Sequence, residues 1–292
     1  MMDLIFHVDD LGATPRMSEQ IFEAWEAGLL DGFSIFANCD HWPALTERLA
    51  RNPERAVRLG IHLNLTEGTS VCPASEVPFL VDADGYFRHD FPGILKAYYS
   101  SFGDRRKRLV GEIEREWRAQ IKTVIERIRP RRLDVVDSHM HIHMIPFLFR
   151  LACRLARAFS IPSLRLVREP FDAFGRESFS RPFAGNIVKH VLLSSFALQD
   201  AWFAKRYRIL HPDGMLGVLY SGMMNEAAIR RQATLARRLG FKNLEVLLHI
   251  GKAATNELAR WKNDTGKAAF VLSENRRAEF DALKRLKDTC RG

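Results

Sequence analysis

Cysteine is scarce. The 292 residues hold four, at positions 39, 72, 153 and 290, and none forms a Cys-x-x-Cys pair. That excludes a disulfide framework and leads us to expect ordinary buried or partly buried thiols in a reducing cytoplasm. Long hydrophobic runs are also lacking. The longest fall far short of the roughly 20 apolar residues that a membrane span needs. The opening Met1-Met2-Asp3-Leu4-Ile5-Phe6 lacks a basic segment followed by an apolar one, so no secretory signal is expected. A Gly-x-Gly-x-x-Gly turn is missing after the first β-prone run, which leaves nothing in favour of dinucleotide binding. No nucleic-acid-binding motif is present, and no such partner is expected. Internal repeats, low-complexity segments and linkers are absent as well, so residues 1–292 read as one domain.

What the chain does have is positive charge and a large apolar fraction. Lys and Arg number 44 against 35 Asp and Glu, a formal net charge of +9, and 47% of residues are hydrophobic. This is an ordinary balance for a globular protein with room for a large core. The excess charge gathers at Arg105-Arg106-Lys107-Arg108, Arg129 to Arg132, Arg230-Arg231 with Arg237-Arg238, and Arg276-Arg277. Such clusters read first as solvated helix faces. The sharper alternative is a surface that meets an anionic membrane.

Periodicity predicts strands at Leu4–Val8, Phe33–Phe36, Leu59–Leu65, Leu133 onward, Ser163–Val167, Met215–Tyr220 and Leu244–His249. It predicts helices at Met17–Leu30, Trp42–Arg51, Asp104–Arg129, Phe147–Phe159, Glu226–Leu239 and Glu274–Lys287, with apolar helical pieces around Ile187–Phe196 and Trp202–Tyr207. Residues 66–92 form a long loop. Strands alternating with helices make parallel β/α units, and six or seven of them suit a distorted or incomplete (β/α) barrel.

The most informative stretch is Asp137-Ser138-His139-Met140-His141-Ile142-His143. On a strand, alternate residues share a face, so His139, His141 and His143 are expected to line one surface. Three imidazoles there mean metal coordination, proton transfer or both. Other polar residues also fall at carboxyl ends of predicted strands, where parallel β/α folds place their sites. These are Asp9 and Asp10, His62 and Asn64, Arg165, and His249. Two imidazoles and a carboxylate around a metal with open positions suit a hydrolytic centre. The metal polarises a carbonyl and acidifies water, a second carboxylate accepts the water proton, and an imidazole opposite protonates the leaving group. Asp9, Asp10, His62, His139 and His249 supply that inventory.

These residues resemble the YdjC-like carbohydrate deacetylase family. The carrying motifs are Val8-Asp9-Asp10-Leu11-Gly12, the run Gly60 to Gly68 (GIHLNLTEG) and the run Asp137 to Met144 (DSHMHIHM), supported by Leu164 to Pro170 and by Glu245 to His249. Val81 to Phe87 and Ser221 to Met224 resemble the hopanoid-biosynthesis-associated, HpnK-type branch in particular. The resemblance implies a (β/α) barrel with a metal site at the C-terminal rim of its strands. It implies hydrolysis of an acetamido group on a sugar or glycolipid, with one divalent metal held by Asp10, His62 and His139. Asp9 would match the general base and His249 the general acid. Zinc suits two imidazoles and one carboxylate by ligand softness, whereas family members are often assigned magnesium.

Two departures stand out: Leu11 replaces a usual Phe, and Ile250 replaces a usual Pro after His249, which frees φ and adds a backbone N–H. Asn64, His141, His143 and Arg165 are expected to contact substrate or support the ligands. For Arg165, orienting Asp9 and pairing with a surface carboxylate remain alternatives. For a lipid aglycone, Phe79, Leu80, Phe87, Phe91, Tyr98 and Tyr99 around the long loop could supply apolar surface or could instead pack that loop. Rival functions are metal-dependent phosphoester cleavage and a catalytically silent sugar-binding protein. The sequence indicates no oligomeric state.

Overall fold

A computed structural model describes residues 2–172, 181–261 and 265–291. Seven strands form one sheet: β1 (Asp3–Leu11), β2 (Gly32–Ile35), β3 (Arg58–Leu63), β4 (Val135–Ser138), β5 (Ser163–Leu164), β6 (Gly214–Leu216) and β7 (Asn243–Leu248). Their spatial order is β5-β4-β3-β2-β1-β7-β6, and every paired neighbour is parallel. This is the cyclic order of a barrel cut between β5 and β6, so the incomplete (β/α) barrel expected from the sequence is the fold. Across the cut, Met215 N–H donates to the Arg168 carbonyl at 3.0 Å. The Glu169 carboxylate also accepts from the amides of Gly217 and Leu219, both at 2.8 Å.

The helices are α1 (Pro15–Glu26), α2 (Trp42–Arg51), α3 (Phe91–Tyr99), α4 (Gly103–Arg127), α5 (Pro146–Ala158), α6 (Arg181–Tyr207), α7 (Glu226–Arg238), α8 (Thr265–Val271) and α9 (Asn275–Arg291). The two apolar pieces expected near residues 187 and 202 are one continuous helix, α6. No helix among the described residues is long and apolar enough to cross a membrane. Cys39, Cys72 and Cys153 are free and buried, and the Cys290 side chain lies outside the described residues.

Apolar spacing explains how α4 packs. Leu109, Ile113, Trp117, Ile121 and Val124 are all buried. Beside that stripe, Glu112, Glu116 and Gln120 are also buried, and they fasten the long loop. Glu116 accepts from the amides of Val71 and Cys72, each at 2.9 Å, and Glu112 from that of Phe79 at 2.7 Å. Gln120 Nε2 donates to the Asn64 carbonyl at 2.7 Å. The loop is therefore a packed structure ending in α3. Leu80, Phe87 and Phe91 are buried, and Tyr98 stacks on Phe147 at 3.7 Å. Of the six apolar residues considered for a lipid surface, only Tyr99 is exposed, at 56%, because the others pack the loop.

Candidate active site

Asp9 and Asp10 are consecutive, and on a regular strand they would point to opposite faces. A β-bulge between Val8 and Leu11 changes this, with Asp10 at φ 71°. The extra residue re-aims the chain so that both carboxylates line one cavity. β3 delivers His62 opposite Asp137 of β4. That register needs a glycine at position 60, where a Cβ would lie 2.0 Å from Ser34 Oγ.

The His-rich run departs from the expected strand. β4 stops at Ser138, and His139–Met144 is a distorted 3-10 turn with Met140 and His141 in left-handed conformation, φ 53° and 58°. Strand alternation no longer applies, and the three imidazoles do not share a face. His139 turns to Asp10, its Nδ1 lying 3.4 Å from Oδ1. His141 lines the cavity. His143 points away from it: its Nε2 donates to the Arg165 carbonyl at 2.9 Å, and Ser138 Oγ lies 2.6 Å from Nδ1. Of the two expectations for His143, substrate contact or support, this geometry fits support, as a brace on the Arg165 backbone. Asn64 likewise takes a supporting place. Its Oδ1 accepts from the amides of Thr66 and Glu67, and its Nδ2 donates to the Glu67 carbonyl, so it shapes the turn that carries Glu67.

The cavity measures about 350 Å³ and brings together Asp9, Asp10, His62, His139, His141 and His249, with Glu67, Lys189, Lys267 and Phe270 on its walls. Ligand atoms of Asp10, His62 and His139 lie within 4.8 Å of one another. Asp10 Oδ1 is buried and has no hydrogen-bond partner, although His62 Nε2 is 3.6 Å away. Each imidazole has a carboxylate on its far nitrogen. His62 Nδ1 donates to Asp137 Oδ1 at 2.7 Å, and His139 Nε2 lies 2.7 Å from Glu67 Oε1. The Asp137 bond fixes the tautomer and direction of His62, and each ring turns its other nitrogen toward Asp10. Burial opposes charge on His139, but Glu67 and Asp10 outweigh it and raise its pKa to about 9. Burial likewise opposes ionisation of Asp10, which His139, Arg276 and His62 together hold well below the usual range. A site that retains positive charge at this point suits a divalent cation, whose binding would displace the His139 proton.

Around this triad lies a buried relay. Ser34 Oγ donates to Asp137 Oδ2 at 2.5 Å, and His7 Nε2 is 2.8 Å from Ser34 Oγ. His7, Asp9 and Asp137 form a second group of closely spaced ligand atoms. The Arg165 guanidinium already supplies its cation, gripping both oxygens of Asp9 at 2.8 Å and reaching Asp137 at 3.1 Å and Glu245 at 2.6 Å. The structure therefore places Arg165 against Asp9, fully buried, and away from any surface carboxylate.

α9 contributes two residues that the sequence reading missed. Arg276, expected on a solvated face, is 1% exposed. It lies 3.3 Å from Asp10 Oδ2 and donates to the Gly251 carbonyl at 2.5 Å. The reason is amphipathicity: Arg276 is in register with the apolar stripe of its helix. Glu279 accepts from the His249 amide at 2.7 Å. These two contacts hold the segment where Ile250 stands. Burial lowers His249 to about 4 and raises Glu279 to about 7. Lys189, from α6, is lowered to about 8, chiefly by burial.

The profile of the YdjC-like protein family matches residues 3–287. The chain belongs to that family. Among curated relatives, the carbohydrate deacetylase of Oceanobacillus iheyensis is 30% identical over 161 residues, 55% of this chain and 64% of that protein. The match thus spans just under two thirds of that relative's own length. The carbohydrate deacetylase of Brevibacillus brevis is 28% identical over 63% of this chain and 71% of its own, and that of Danio rerio is 26% identical over 87% and 77%. A solved Enterococcus faecalis structure, described as a candidate cellobiose-phosphate cleavage protein, superposes over 97% of this chain and 95% of its own. Its TM-score is 0.62 at 21% identity, a likeness of fold. The motifs of this YdjC-like chain fall on the cavity walls described above.

Proposed function

We propose that this YdjC-like chain is a metal-dependent hydrolase that removes the N-acetyl group from an acetylated amino sugar or glycoconjugate. The observation that carries this reading is the meeting of Asp10, His62 and His139 with Asp9 and His249 in one cavity. Asp10, His62 and His139 would hold a divalent ion, zinc or magnesium. When bound, that ion supplies Lewis acidity toward the acetyl carbonyl and water.

Asp9 accepts the proton of the attacking water, and the two-pronged grip of Arg165 aims it. His249 donates to the departing amine. Its burial leaves the imidazole neutral near pH 7, so the donor role requires a proton gained during turnover. Lys189 and Lys267 on the wall favour one competing reading, phosphoester cleavage. Ile250 favours another, a silent sugar binder.

The test is acetate release from N-acetylglucosamine, chito-oligosaccharides and an N-acetylglucosaminyl lipid. Metal-stripped protein would be resupplied with zinc, magnesium, manganese or cobalt, and phosphate release from sugar phosphates measured in parallel. Acetate release that vanishes in His62→Ala and His139→Ala is expected. Asp9→Asn and His249→Ala should each lower kcat about 10²–10⁴-fold with metal still bound. Phosphate release alone, or metal binding with neither product, would sink the deacetylase reading.

A further inference from the structure

Helix α6 has two unlike sides. Its inner side carries Asn186 and Lys189 into the catalytic cavity and buries Leu193 and Ala197. Its outer side carries Val188, Val191, Ser195, Leu198 and Trp202. These are spaced three, four, three and four residues apart, which puts them in one row on a helix. Val188 is 70% exposed, Val191 59%, Leu198 83% and Trp202 59%. At about 1.5 Å per residue the row is roughly 21 Å long. A solvated helix would carry charge on that side, yet the exposed positions between 183 and 204 are all uncharged. Charge returns just past the row, at exposed Lys205, Arg206 and Arg208, all basic. Beside α6 a groove of about 530 Å³ is lined by Tyr99, Arg106, Arg150, Arg154 and Phe203 among others, and Phe102, near its edge in sequence, is 75% exposed.

We infer that the outer side of α6 is a docking surface for an anionic lipid bilayer. The row supplies the apolar face that enters the headgroup boundary, and Trp202 is suited to that depth. Lys205, Arg206, Arg208 and the groove arginines supply the attraction to anionic headgroups. The competing occupant is a second copy of the chain. It is disfavoured because each copy brings a net charge of +9 and a basic rim, with no acidic side chain in the row to answer it. The inference does not depend on which bond the site hydrolyses.

The experiment is flotation of the full chain with phosphatidylcholine vesicles, with and without phosphatidylglycerol, at low and high salt. The chain should float with the anionic vesicles, less so at high salt. The double variant Leu198→Glu, Trp202→Glu should lose at least about tenfold in binding, since both apolar contacts are exchanged for like-signed repulsion, with its melting temperature unchanged. Lys205→Glu with Arg206→Glu should weaken binding and flatten the salt dependence. Three results would each overturn the inference: no flotation with either vesicle, equal flotation of the double variant, or a concentration-dependent dimer that the double variant dissolves.

Discussion

Asp200 lies on the inner side of α6, which packs on α5. It is wholly buried, and neither carboxylate oxygen has a hydrogen-bond partner. Burial alone raises its pKa from 3.8 to about 8. Between those values the folded chain keeps a proton that the unfolded chain releases. Stability from this group is therefore fully present below the unfolded value and is lost as pH rises through the folded one. At 1.36 kcal/mol per pKa unit, the loss is about 4 kcal/mol at pH 7 and under about 2 kcal/mol at pH 5. Asp200→Asn keeps the shape and removes the ionisation. It should therefore stabilise the protein by about 4 kcal/mol at pH 7, roughly 8 °C in melting temperature for a chain of this size, and by less than half of that at pH 5. Denaturant and thermal unfolding at the two pH values measure the difference. An equal gain at both, or no gain at pH 7, would refute the reasoning, because Asp200 would then not be an unpaired group held neutral by burial.

Three further outcomes follow from the site. Gly60→Ala drives a methyl into Ser34 Oγ and should cost about 1–3 kcal/mol; adding Ser34→Gly should restore the urea midpoint but not activity, and a midpoint that stays low would place the strain elsewhere. Arg165→Met strands Asp9, Asp137 and Glu245 and should destabilise by about 3–5 kcal/mol. Arg165→Lys should fold yet lose the two-pronged grip on Asp9, lowering kcat about 10²-fold; wild-type kcat in the Lys variant would remove Arg165 as a positioning residue. Glu67→Gln weakens the carboxylate behind His139 and should raise the Kd for zinc about 10–100-fold by calorimetry, and an unchanged Kd would detach Glu67 from the ligand set.

The barrel was legible because parallel β/α units write their own period, and Asp9, Asp10, His62, His139 and His249 were legible as polar residues where strands end. The His-rich run misled because alternation holds only while the backbone stays extended, and the chain leaves the strand at Ser138. What stayed hidden came from helices. Glu112, Glu116 and Gln120 on α4, and Arg276 and Glu279 on α9, have the composition of a solvated face, and charge counting treats them so. Their phase says otherwise. Arg276, Glu279, Leu283 and Leu286 recur at spacings of three, four and three and are all buried. Glu112, Glu116 and Gln120 run every fourth residue alongside Ile113, Trp117 and Ile121. A charge in phase with an apolar stripe must be buried with it, and a buried charge needs a partner. Each of these finds one at the site or at the loop that frames it: Arg276 at Asp10, Glu279 at the His249 amide, Glu116 at the loop amides. Phase read together with charge, rather than charge alone, therefore locates the residues that support such a cavity from outside the strands.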